Sequence, residues 1–90
     1  MEIIMQPGLE VTRSIEEDLK DLDETDLAIE RLGKRIAAQE LRTAQLKRDR
    51  IDSDTAEKML ANMRDSLKKL IMHRALIVHA IAGSVAISLR

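Results

Sequence analysis

The sequence predicts an all-α fold: an antiparallel helical hairpin of coiled-coil character. Three observations carry that reading. The 90 residues include no Phe, Tyr, Trp or Cys, so the core must be built from Leu, Ile, Val, Met and Ala, which suit interdigitating helices better than stacked sheets. Apolar residues recur at steps of three, four and seven over two long stretches, the period of one helical face. Helix-start signals at Ser14 and Asp54 divide these stretches, and the connection between them is short enough to force an antiparallel return.

The elements follow in order. Residues 1–13 read as an N-terminal arm, because Pro7-Gly8 marks a turn. Ser14-Ile15-Glu16-Glu17 has capping-box spacing, and the acids that follow suit the positive end of a helix dipole. Helix 1 is expected over about residues 14–50, with Ile15, Leu19, Leu22, Ile29, Leu32, Ile36, Ala44 and Leu46 on one face. That seam turns polar at Thr25-Asp26 and at Gln39–Thr43, and alternative caps at Asp23 and Thr25 predict a break or bend near 23–26. The segment before such a break would be an additional N-terminal helical segment. Gly33 either admits a close backbone approach or is a tolerated surface residue.

Helix 2 is expected over about residues 54–82, starting at Asp54-Thr55-Ala56-Glu57, a second capping-box spacing. Its seam, Ala56, Leu60, Met63, Leu67, Leu70, Arg74, Ile77 and Ile81, alternates four and three with one charged member. With the reversal near residues 51–53, Arg74 falls opposite Ile29 and Glu30, so a buried ion pair of Arg74 with Glu30, or with Asp26, is expected. The apolar tail 83–90 either continues helix 2 or forms a short strand at "SVAISL". Residues 14–90 form one hairpin domain.

A lone hairpin leaves one side of its seam wet, and Leu41, Met59, Ile71, Leu76 and Val78 widen the apolar surface beyond the stripe. The expected solution is a homodimer forming a four-helix bundle, with Leu60, Met63, Leu67, Leu70, Ile77, Ile81 and Val85 at the interface. A monomer with the N-terminal segment folded across the hairpin is the competing arrangement.

The net charge of −1 conceals segregation. Residues 1–30 hold ten acids against two bases, and residues 31–90 hold six acids against thirteen bases. Arg31, Lys34, Arg35, Arg42, Lys47, Arg48 and Arg50 could line a nucleic-acid surface, but the overall balance and the lack of stacking residues favour a face complementary to the acidic segment.

Between residues 29 and 77 the chain resembles a group of small, mostly alphaproteobacterial proteins of unknown function. The resemblance is carried by Ile36-Ala37-Ala38-Gln39, Leu46, Asp52, Thr55-Ala56-Glu57-Lys58-Met59-Leu60 and His73-Arg74. It implies a helical hairpin and no catalytic residues. The chain departs at Arg50, where that group carries Gly.

No chemistry-bearing constellation stands out. His73 and His79 lie six residues apart, ~240° around a helix, and do not form a metal-binding pair. The acids of 16–26 lack the spacing and Gly of a calcium loop, and no phosphate loop or nucleophile elbow occurs. The expectation is a non-enzymatic interaction module without cofactor, acting with itself and with a further protein partner. Residues 75–89 are fifteen in number and interrupted by His79, Gly83, Ser84 and Ser88, short of the ~20 apolar residues a span needs. Lys68, Lys69 and Arg90 flank them, so the alternative function is a membrane-surface adaptor using this tail. The opening residues carry no basic n-region and no cysteine is present, so a cytoplasmic location is expected.

Overall fold

The computed structural model describes residues 7–88. It is an antiparallel hairpin of two α-helices, α1 (Pro7–Arg48) and α2 (Asp54–Ser88), extending 72 × 28 × 15 Å. No strand occurs among the described residues.

Helix α1 runs unbroken through both polar stretches of its seam. The break expected at 23–26 is absent, and helix replaces an arm over 7–13; residues 1–6 lie outside the described residues. The rhythm explains the continuity. Ile15, Asp18, Leu22, Thr25, Ile29, Leu32, Ile36, Gln39, Thr43 and Leu46 are all buried or half-buried and alternate three and four without a skip. Polar residues occupy seam positions instead of interrupting them. Thr43 tolerates burial because its hydroxyl donates to the Gln39 carbonyl at 2.8 Å, one turn back. The Gln39 side-chain amide in turn donates across the seam to the Ala56 carbonyl at 3.3 Å. Tertiary packing has overridden the local capping preference of Asp23 and Thr25.

The facing seam on α2 has the same rhythm: Ser53, Ala56, Leu60, Met63, Leu67, Leu70, Arg74, Ile77, Ile81 and Ser84. Helix α2 continues through Gly83 to Ser88, so the tail up to that residue is helix rather than strand; Leu89 and Arg90 lie outside the described residues.

The turn departs from the sequence expectation. Arg50 adopts φ 56°, the left-handed region, while its N–H bonds the Lys47 carbonyl at 3.1 Å and the Ile51 N–H bonds the Leu46 carbonyl at 2.9 Å. This is a Schellman motif, with Arg50 in the place usually held by Gly. On the far side, the Ser53 carbonyl accepts the first bond of α2 from Glu57 N–H, and Asp52 Oδ1 accepts from Asp54 N–H. The expected capping box from Asp54 to Glu57 is therefore not used. The Glu57 carboxylate instead meets Lys47 Nζ of α1 at 2.6 Å.

Two backbone substitutions follow. Left-handed geometry costs a non-Gly residue roughly 1–2 kcal/mol, part of which Gly recovers before its own chain entropy is charged. Arg50→Gly should therefore stabilise the hairpin by about 0.5–1 kcal/mol. Gly33 sits mid-helix, and a Cβ there would meet nothing within 4 Å, so Gly33→Ala should add about 0.5–1 kcal/mol. Urea denaturation followed by circular dichroism at 222 nm checks both, and a lower midpoint for Arg50→Gly would show that the turn does not need the left-handed conformation.

Candidate interaction surfaces

Four cross-helix contacts fix the alignment of the helices: Asp26 with Arg74, Glu40 with Arg64, Lys47 with Glu57, and Gln39 with the Ala56 carbonyl. In that register the seam positions fall level in antiparallel order. Asp26 faces Arg74, Glu40 faces Arg64 and Lys47 faces Glu57, while Thr43 and Leu60 flank the same shallow pocket near the turn.

This alignment selects Asp26, the second of the two partners expected for Arg74. Arg74 meets Asp26, and Glu30 is taken by Lys34 at 3.4 Å, one turn along its own helix. The Arg74 and Asp26 side chains remain 44% and 47% exposed, so the pair is half-open rather than buried. The reason lies at the turn. The chain reverses about Arg50 rather than 51–53, and moving that centre by two residues moves the facing level by four, from Glu30 to Asp26.

The expected interface residues are also placed differently. Leu60 and Ile77 are buried, Met63, Leu67, Leu70 and Ile81 half-buried, all six on the stripe that meets α1. Only Val85 stands off the stripe, 40% exposed. A surface for a second molecule must therefore be sought on the flanks, with the half-buried seam residues contributing only their outer edges.

The two flanks differ. On one, Glu40 with Arg64 and Lys47 with Glu57 bridge the helices beside Thr43 and Leu60, so its cations near the turn are neutralised internally. On the other, a groove runs between the helices over Leu32, Met59, Met63 and Leu70, with Arg31, Arg35 and Lys58 at its rim and no acid among its lining residues. None of these three cations has an ion-pair partner among the described residues. The sequence reading placed Arg31 and Arg35 on a basic face but missed their meeting with Met59 and Lys58. That conjunction depends on the alignment of the two helices, which periodicity alone does not fix.

The far end of α2 is a second uncovered surface. Ile71, Met72, Leu76, Val78 and Val85 are all exposed and lie on several sides of the helix. Among the described residues one helix, over Asp54–Ala86, is long and apolar enough to cross a membrane, a property that core helices of soluble proteins share. It lies beside the most acidic part of α1, where Glu16, Glu17, Asp18, Asp21, Asp23 and Glu24 make no ion pair among the described residues.

No group of three or more His, Asp or Glu residues is placed to hold a metal ion among the described residues. His73 and His79 are exposed on different sides of α2. No family model, no curated protein and no solved structure matches the chain.

The Arg74–Asp26 pair yields a stability prediction. An exposed pair contributes only about 0.2–1 kcal/mol, so Asp26→Asn should cost no more than that. Arg74→Leu, which completes the apolar stripe of α2, should raise stability by about 1 kcal/mol. A urea midpoint that falls for Arg74→Leu would show that the cation is essential to the seam.

Proposed function

We infer that the chain is a non-enzymatic helical interaction module that works as a homodimer, two hairpins closing into a four-helix bundle. One observation carries the inference: the hairpin's core is too thin for its apolar content. Only Ile36, Ala56, Leu60 and Ile77 are buried apolar residues among those described, and no side chain is fully buried. Ten large apolar residues are exposed among those described. At roughly 25 cal/mol per Å² of apolar surface removed from water, covering the groove and the outer edges of Met63, Leu67 and Leu70 is the largest stabilisation open to this fold. A two-fold pair is the commonest way for a single chain to achieve it. Further proteins could then dock on the apolar end of α2.

The second reading, a membrane-surface adaptor, draws on the exposed apolar end of α2 and the length of that helix. The neighbouring acids of α1 oppose it. Membrane-surface helices carry Lys and Arg on their polar face, whereas residues 15–30 hold eight acids and one base. Lowering α2 into an anionic bilayer would bring those carboxylates to a like-charged surface.

Light scattering with refractive-index detection decides between the readings, since the chain has no Trp or Tyr for ultraviolet detection. The expected mass is twice 10.2 kDa at micromolar concentration and above. A strict monomer at high concentration would defeat the dimer. Flotation with vesicles of mixed anionic and zwitterionic lipid should leave the protein unbound, and stable flotation of the intact chain would favour the adaptor.

A further inference from the structure

The flank that holds the groove carries its own complement. Along α1, Glu17, Asp21, Glu24, Ala28, Arg31 and Arg35 step by four and three on one line, exposed except for half-buried Ala28. Three acids come first, then a small residue, then two cations. None of the five charged members is paired among the described residues. Reversing the line's direction inverts its sign. Laid antiparallel against an identical line centred between Glu24 and Ala28, Arg35 meets Glu17 and Arg31 meets Asp21. Two-fold symmetry makes each of these pairs twice, because a two-fold interface must match itself.

The opposite flank lacks this property. There α1 presents Glu16, Asp23, Asp26, Glu30 and Glu40, and its cation Lys47 is held by Glu57. Asp26, Glu30 and Glu40 are already paired with Arg74, Lys34 and Arg64, so among the described residues that side of α1 offers a second copy no free cation to meet an acid. A parallel arrangement on the groove side would leave Arg31, Arg35 and Lys58 without acids. Only one flank and one direction bring opposite charges together while covering an apolar floor.

We propose that a second copy of the chain docks antiparallel on the groove flank of α1, with the two-fold axis beside Glu24 and Ala28. The acidic half of each α1 lies over the basic groove of the other copy, closing it above Leu32 and Leu70. Ala28 at the centre permits close approach, since interaxial distance follows side-chain size at the crossing. The turns of the two hairpins point to opposite ends of the bundle. This rests on the homodimer inferred above and specifies its face and direction.

Charge exchange tests the geometry. One chain carries Arg31→Glu with Arg35→Glu, and the other carries Glu17→Arg with Asp21→Arg. All four residues are exposed and unpaired, and helicity at 222 nm confirms that each chain folds. Each variant alone should dimerise at least roughly a hundredfold more weakly than the parent at low salt, because every designed pair becomes repulsive. Mixing the two should restore a heterodimer of near-parental affinity, measured by sedimentation equilibrium with interference optics. Parental dimerisation should itself weaken with added salt. If the parent dimerises while both variants self-associate unchanged, or if mixing yields no heterodimer, the proposed face is wrong and the dimer stands. If the parent is monomeric throughout, the dimer itself is wrong.

Discussion

The alignment between the two helices rests on a few backbone hydrogen bonds at the turn, and the rest of the molecule depends on it. Leu46 and Lys47 lend their carbonyls to Ile51 and Arg50, which fixes where α1 stops. Ser53 and Asp52 accept the first bonds of α2, which fixes where it starts. Between them the chain has no slack, so every residue of α2 inherits its level on α1. A shift of one residue would rotate the seam of α2 by about 100° and carry the buried Leu60 and Ile77 out of the seam with α1. The ion pairs of Arg64 and Arg74 mark the same register farther from the turn. They are exposed pairs, and their role is to favour one alignment over its neighbours more than to hold the helices together.

A seam of two helices can bury one stripe per helix and no more, because each seam residue remains open to solvent on its flanks. That geometric limit explains why so few residues are buried although 44% of the chain is hydrophobic. Charge is distributed around this limit unevenly. Near the turn, Glu40 and Glu57 neutralise Arg64 and Lys47 on one flank, while the other flank keeps Arg31, Arg35 and Lys58 free over an apolar floor. At the open end Glu16, Glu17, Asp18, Asp21, Asp23 and Glu24 stand without an ion pair among the described residues beside an apolar α2. Free cations and free acids therefore occupy different levels of one molecule, and they can meet only if a second molecule reverses the direction.

The legibility of these features in the sequence varied with their physical origin. The stripe of α2 from Ala56 to Ile81 was readable because its members are almost all apolar, and hydrophobic periodicity is a local signal. The stripe of α1 was partly hidden, since Thr25, Gln39 and Thr43 hold seam positions with polar side chains; their rhythm, unbroken from Ile15 to Leu46, was the signal available. The placement of Arg74 depended on the centre of the turn. The arginine itself does not announce left-handed geometry, as Gly or Asn would; the only signal was the Gly that the resembling group carries at this place. Glu30 was accordingly chosen ahead of Asp26, one helical turn away. The groove was the least legible feature, because it joins Ala28 and Arg31 of one helix to Met59 of the other and exists only once the alignment is known.

Polar residues within the seam bear on what kind of module this fold can be. Asp18, Thr25, Gln39, Thr43 and Arg74 all take positions that Leu or Ile would fill more stably. Such substitutions sacrifice stability in exchange for a single allowed alignment, the best-attested use of polar groups in helical seams. A hairpin weakened in this way, with four buried apolar residues, has little stability to spare on its own. Association that covers the groove would then supply part of the free energy that keeps each copy folded, so folding and dimerisation become linked through protein concentration. In the proposed dimer, self-association would be part of the fold, and the module would present its outer surface to other partners only once paired.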